Sequence, residues 1–337
     1  MTGGRLTPLA KKIVTEKYTS ADEGKKLQAA QNAILFTPEF STLGNETVIG
    51  THPPRPKKVD HTPKNYKAVV FMFLGGGADT FNMLVPRDCE LHDDYAAARA
   101  GIEIPISKLL PIEAATQKCK NFGIHPAMEH LHQLYKDKEA AFVSNVGTLL
   151  EPTTLDQLKG GAVKRCPSQF SHSHAAGFSM TLQCHSVAKA PHGIGGLMAD
   201  DVAKKNFKSE SFSMSGMSKW SPGKDTHIQI LSGRGAAARL AEYDEWHHAV
   251  GNFSSQKHKN VYSDNYGQEL DLAIESSEEL GKLLDGLESE SLDRYKASLT
   301  SMLSHQLYQV SRLIALREER KAERDFFFVS RGGWDMH

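Results

Sequence analysis

The sequence predicts an α/β protein with a doubly wound, mostly parallel sheet. Apolar, β-branched runs typical of strands buried on both faces alternate with segments whose apolar residues recur at helical spacing. Several of these runs lead directly into glycine and polar residues, and open α/β sheets place their ligands at the carboxyl ends of such strands. The 337 residues, of which 39% are apolar and 24% charged, are enough for a sizeable core of this class.

The charge balance restricts the partners. The 40 Lys and Arg residues are matched by 40 Asp and Glu residues, so we expect no nucleic-acid partner held by phosphate contacts, and no acidic disordered tail. No apolar stretch approaches the ~20 residues that a transmembrane helix needs. The first twenty residues lack the apolar segment of a secretory signal, so we expect a soluble protein in a compartment that the sequence leaves open.

Two residue types stand out. Sixteen histidines make a metal or acid-base site worth seeking. The four cysteines are widely spaced and form no C-x-x-C pair, so we expect buried or partly exposed thiols rather than a zinc ribbon or a disulfide framework. They are Cys89, Cys119, Cys166 and Cys184.

The sequence predicts two regions. Residues 1–65 read as a poorly structured N-terminal extension, because a basic, Pro-rich stretch at 51–67 resists helix and strand alike; a short helix is expected over 21–32. Residues 66–337 read as one α/β domain, interrupted by a polar insertion at about 206–265.

Three units of this domain each end in a strand and a polar loop. The first strand covers 66–74, and the second, at 140–147, follows an amphipathic helix at 126–135. The third, at 325–330, follows a long amphipathic helix at 298–323. Parallel strands bring their carboxyl ends to one edge of a sheet, so we expect a single site there.

The loop after the first strand carries the first candidate residues. The loop begins with three glycines, Gly75–Gly77, which let the backbone turn sharply. Asp79 and Thr80 follow as neighbours in the sequence. A carboxylate beside a hydroxyl suits a metal ligand next to a nucleophile. A dinucleotide-binding turn and a plain tight turn are the alternatives, although Thr80 stands where the G-x-G-x-x-G pattern requires its third glycine.

Two further groups carry metal-ligand chemistry. In an extended segment His172 and His174 would point to the same side and could reach one ion or anion. Asp335 and His337, two residues apart in the loop after the last strand, could both face a metal ion. The alternatives are a solvated Ser- and His-rich loop for the first pair and a frayed terminus for the second.

Several sequence blocks together resemble one family. The strand with GGGADTFNMLVP, FGIHPAMEHLHQLYKDKEAAFVSNVG, QFSHSHAAG, GIGGLMADDV and the terminal LYQVSRLIALREERKAERDFFFVSRGGWDMH are similar, in order, to the domain-of-unknown-function 1501 family of the alkaline-phosphatase-like superfamily. The resemblance covers most of 66–205 and 296–337. It implies an alkaline-phosphatase-like fold and a metal-dependent hydrolase of phosphate or sulfate esters.

The resemblance also implies residue roles. His174, preceded by Ser173, matches a Ser-His element of the family, and Met336 stands between Asp335 and His337 where the family has Thr. The complete candidate site has Thr80 as the catalytic hydroxyl, Asp79, Asp335 and His337 as metal ligands, and Asn82, His172 and His174 as substrate-binding residues. The expected cofactor is a divalent metal ion, either zinc or a similar ion, or calcium or magnesium, and the expected substrate is a small-molecule or polymer ester.

The family continues past the last residue of this chain with two further segments, one like Glu-Phe-Gly-Arg and one like Asp-His-Gly. We therefore expect the C-terminal part of the domain to be missing and this chain to be inactive by itself. Relatives are often exported. The alternative hypothesis is a non-catalytic binding or structural protein on the same scaffold. A third hypothesis is a nucleotide-binding protein that binds its ligand at the Gly75–Gly77 loop.

Overall fold

A computed structural model of the chain describes residues 2–42, 65–161, 163–168, 171–184, 192–231, 240, 242–258 and 260–335. These residues form a mixed α/β structure, which confirms the predicted fold class at that level. The chain divides into two compact units, one formed by Met1–Met72 with His192–Ser330 and the other by Phe73–Pro191 with Arg331–His337.

The helices and strands have the following bounds. The α-helices are α1 Pro8–Ser20, α2 Lys26–Leu35, α3 Pro38–Ser41, α4 Leu91–Arg99, α5 Glu129–Lys136, α6 Leu155–Gly160, α7 His172–Thr181, α8 Ile194–Lys204, α9 Tyr243–Ser254, α10 Val261–Asp285, α11 Glu290–Asp293 and α12 Met302–Ala315. The strands are β1 Lys67–Leu74, β2 Leu84–Pro86, β3 Leu110–Glu113, β4 Asn121–Ile124, β5 Ser209–Ser213, β6 Ile228–Ile230 and β7 Arg324–Arg331.

The larger sheet has four strands in the order β1-β7-β5-β6. β5 pairs in parallel with both β6 and β7. Backbone hydrogen bonds join Lys67 N to Glu323 O and Gly75 N to Arg331 O. The residue numbers of the bonded partners rise together along β1 and β7, as they do in parallel strands. The parallel sheet that the sequence predicts is therefore present, although it is built from partly different segments.

Two strand predictions and the predicted insertion need correction. β1 lies at the edge of its sheet with residues 67–70 exposed, although its unbroken apolar run predicts burial on both faces. Residues 140–147 form no strand, and Val143 is 83% exposed. Residues 206–265, predicted as a polar insertion, supply β5 and β6, because small Ser side chains of β5 are buried in the sheet.

The main apolar core covers the face of this sheet. Phe212 of β5 and Phe327 of β7 are fully buried, and their rings stack with centroids 5.3 Å apart. Leucines of α10 and α12 pack on them, including Leu284 and Leu313. The predicted helix over 298–323 is shorter in the structure. It begins after Ser301, whose hydroxyl caps it by accepting from Ser304 N.

A buried ionic cluster lies where β7 begins. The Arg320 guanidinium donates to both carboxylate oxygens of Asp325 at 2.9 Å and also bonds Glu210. The Tyr66 hydroxyl donates a hydrogen bond to Asp325 Oδ2 at 2.7 Å. Burial by itself would lower the pKa of Arg320, but the Glu210 and Asp325 carboxylates outweigh it and raise that pKa above its usual value. Burial and the nearby Asp325 also raise the pKa of Tyr66.

Another buried carboxylate organises the loop after β5. Asp200 of α8 accepts bonds from the backbone N–H groups of Lys224, Asp225 and Thr226 and from the Thr226 hydroxyl. Burial would raise the pKa of Asp200, but these four donors outweigh it and hold the pKa below its usual value.

The N-terminal residues are more ordered than the sequence predicts. Residues 8–41 contain α1, α2 and α3, and Thr7 caps α1 by accepting from Ala10 N. Buried Ile13 and Ala33 from these helices join Trp246 in an apolar cluster. Periodicity in this segment is weak because few residues face the core. The remainder of the predicted extension, 43–64, lies outside the described residues.

The second unit contains a three-stranded antiparallel sheet in the order β2-β4-β3. The expectation of thiols is wrong in the structure, because two disulfides join Cys89 to Cys119 and Cys166 to Cys184. Their partners are 30 and 18 residues apart, and spacings of this length carry no pairing signal in one sequence. Among the described helices, none is long and apolar enough to cross a membrane.

Candidate functional site

The three glycines after β1 allow a second loop to pack directly on them. Gly76 has a φ of +123°, and a Cβ at this position would lie 2.7 Å from the backbone nitrogen of Asp335. Gly75 donates to Arg331 O at 2.9 Å and accepts from Trp334 N at 3.4 Å. The loop that follows β7 is thus held against the loop that follows β1, backbone to backbone, in a way that a side chain at position 76 would prevent.

This packing places Asp335 next to a histidine from a distant part of the chain. His172 Nε2 lies 2.8 Å from Asp335 Oδ2, and both side chains are partly open to solvent, with exposed fractions of 54% and 33%. Gly77 faces the pair, since a Cβ there would lie 3.2 Å from Asp335 Oδ1 and 4.0 Å from His172 Cε1. Three predicted elements, the glycine loop, the histidine segment and the terminal loop, therefore meet at one place.

The histidine segment is helical, which corrects the predicted geometry. His172 is the first residue of α7 rather than part of an extended segment. Residues i and i+2 of a helix are about 200° apart around its axis. His172 and His174 therefore project on different sides of α7. His172 reaches Asp335, whereas His174 Nδ1 contacts the Ser171 hydroxyl at 3.0 Å. The structure thus brings one of the two predicted substrate-binding histidines to the site.

Asp79 forms an ion pair with an arginine side chain of this protein. Arg99 Nη2 lies 2.5 Å from Asp79 Oδ2, and the Asn82 amide donates to the same oxygen at 2.9 Å. Asn82 in turn accepts from the Tyr95 hydroxyl at 2.6 Å. Thr80 begins the single helical turn that carries Asn82. The predicted ligand Asp79 therefore lies in a hydrogen-bonded network, and within the described residues it does not join Asp335 and His172 in one group of metal donors.

Sequence reasoning missed two members of this network. Tyr95 and Arg99 both lie on α4, four residues apart, and therefore share one helix face. That face turns toward Asp79 and Asn82. The spacing was a usable signal for a shared role, but nothing in the sequence showed which distant loop the face would meet.

The donor set fits a divalent ion in part. Asp335 and His172 are ligand types that zinc accepts. Two donors at about 2.1 Å from a tetrahedral zinc ion lie about 3.4 Å apart, so the 2.8 Å contact between these side chains would have to widen for both to bind one ion. Within the described residues no three His, Cys, Asp or Glu side chains are grouped to hold a metal ion. His337 lies outside those residues, and Asp79 would have to lose Arg99 before it could bind a cation.

No family model, no curated protein and no solved structure matches this chain. The assignment of function consequently depends on the residues of the site.

Proposed function

We propose that this protein is a metal-dependent hydrolase of phosphate or sulfate esters, with its site where β1 and β7 end. The observation that supports it is the 2.8 Å contact between His172 and Asp335 beside Gly77. These two residues are far apart in sequence and are both metal-ligand types. Both are partly exposed, and His172 meets Asp335 in the loop that follows β7, at the kind of strand end where α/β proteins place their ligands.

The residues divide the work as follows. Asp335 and His172 would hold a divalent ion, zinc or calcium or magnesium, with the predicted His337 as a further donor. When bound, the ion supplies Lewis acidity to the phosphoryl or sulfuryl group. His172 is the first residue of α7, and its imidazole would bind the ion through a ring nitrogen. Thr80 offers the candidate attacking hydroxyl.

Zinc binding is the direct test. Isothermal titration of the protein with Zn²⁺ should show a site whose affinity falls at least about tenfold in Asp335→Asn and in His172→Ala, since each removes one of few donors. His227→Ala is the matched control, because His227 lies 3.7 Å from Glu269 in another exposed His–carboxylate pair. Unchanged affinity in both site variants would contradict the proposal.

Hydrolysis needs a separate assay. Release of nitrophenol from p-nitrophenyl phosphate and p-nitrophenyl sulfate should depend on added metal ion and fall in Thr80→Ala. Zinc binding at Asp335 and His172 without turnover of either ester would favour the non-catalytic binding protein over the hydrolase.

A binding protein without catalysis is the second candidate. It is favoured by the Asp79–Arg99 pair, because a carboxylate neutralised at 2.5 Å by a guanidinium is a poor ligand for a second cation. Arg99→Gln removes this competitor. If the variant gains affinity for zinc while esters stay intact, binding without turnover becomes the better description.

A further inference from the structure

We propose that the Cys166–Cys184 disulfide is a positioning element for the candidate metal site, holding His172 against Asp335. The inference rests on the proposed function for its purpose, but its geometry stands independently. The two cysteines bracket α7, the helix whose first residue is His172. Their Cα atoms lie 5.2 Å apart. The disulfide therefore closes the segment that contains α7 into a covalent loop.

Among the described residues, few of those in α7 are buried. Only Gly177, Met180 and Thr181 of its ten residues are buried, and an isolated helix of this length is marginal in water. The fully buried anchoring of α7 therefore comes from three of its residues. Both cysteines, by contrast, are 3% exposed, which places the covalent link in packed surroundings just beyond the helix end.

The contact that needs positioning is weak by nature. His172 and Asp335 form a partly exposed pair, and exposed ion pairs contribute little to holding two chain segments together. A metal site, however, needs its donors held to within about 0.5 Å. The disulfide supplies this constraint through the backbone, because it removes most of the alternative conformations of the segment between two cysteines that are 18 positions apart.

The second disulfide provides a matched comparison. Cys89 and Cys119 lie in the same unit and join the start of α4 to the beginning of β4. Their loop does not contain His172. Loss of this link should affect the stability of the unit without loosening α7.

The experiment compares Cys166→Ser/Cys184→Ser with Cys89→Ser/Cys119→Ser in the whole chain. The first readout is the NMR signal of the His172 imidazole, with and without Asp335→Asn. In the wild type and in the Cys89/Cys119 variant, Asp335→Asn should shift this signal. In the Cys166/Cys184 variant the shift should be largely lost, because His172 no longer stays beside position 335.

The second readout is zinc affinity. Loss of Cys166–Cys184 should weaken it by about tenfold to a hundredfold, the range that the constraint of a loop of this size allows. Loss of Cys89–Cys119 should change it less than about threefold. Adding His172→Ala should then cost little more in the Cys166/Cys184 background, a non-additivity that a merely structural role would not give.

A folding defect need not spoil the test. In the Cys89→Ser/Cys119→Ser protein a dithiol reductant can reduce only Cys166–Cys184, passing two electrons and two protons to it and becoming a cyclic disulfide itself. The imidazole signal of the folded protein is then followed before and after reduction. Circular dichroism shows whether the fold is retained.

Failures of the two proposals are distinguishable. An Asp335-dependent His172 signal that survives loss of Cys166–Cys184 overturns the positioning role and leaves the metal site intact. Zinc affinity that ignores Asp335→Asn overturns the metal site, while the imidazole signal still decides whether the disulfide positions His172.

Discussion

Replacing Arg320 by Met should destabilise the first unit severely. Arg320 and Asp325 have side chains that are 3% and 0% exposed, and the guanidinium makes two 2.9 Å bonds to that carboxylate. Methionine keeps much of the volume but leaves Asp325 buried without its counter-charge. Tyr66 remains as a donor to Asp325, which offsets only part of the loss.

The expected loss is about 3–5 kcal/mol, the usual cost of removing one partner of a buried ion pair. For a unit of about 200 residues this corresponds to a fall in Tm of roughly 6–20 °C. Differential scanning calorimetry measures it, with urea unfolding at pH 7 as a second determination of the free energy of unfolding.

Arg317→Met is the matched control. Arg317 lies three residues earlier, and its pair with Glu318 is exposed, so its loss should cost at most about 1 kcal/mol. The double variant Arg320→Met/Asp325→Leu should be more stable than Arg320→Met alone, because no isolated charge remains in place of Asp325. If Arg320→Met is no less stable than Arg317→Met, the cluster is not a buried ion pair and this reasoning fails.

Three further outcomes follow from single residues. Gly76→Ala should lower the Tm and weaken zinc binding, because its methyl group would meet the backbone of Asp335. Gly147→Ala is the control and should do neither, because the space around Gly147 is open. Equal effects of the two variants would count against the packing of the two loops. Asp200→Asn should cost about 1–3 kcal/mol at pH 7. Because the folded-state pKa of Asp200 is lowered, its contribution is present above pH ~4 and lost as pH falls, so urea unfolding should show the two proteins converging in acid; a constant difference would refute this. Because the folded-state pKa of Tyr66 is raised, stability should decline above pH ~10, and Tyr66→Phe should flatten that decline in thermal melts; an identical decline would assign the effect to other groups.

The strand patterns show where sequence reasoning succeeds. Phe326–Val329 and Ala68–Leu74 are both apolar runs, and both lie in strands. Residues 140–147 have the same pattern and form none, because an apolar run reports only that a segment suits a sheet, and pairing decides whether it joins one. β5 shows the reverse case. Its Ser-rich sequence suggests a loop, yet neighbours on both sides supply its hydrogen bonds.

The sequence by itself determined the fold class, the glycine loop and the residue types available for a site, because apolar periodicity and backbone freedom are local properties. Only the tertiary structure decided which of these residues meet. It placed Asp335 beside His172, paired Asp79 with Arg99 in an ion pair, and joined Cys166 to Cys184 in a disulfide. Such contacts connect residues far apart in the chain, and their geometry depends on how the core packs rather than on any local pattern.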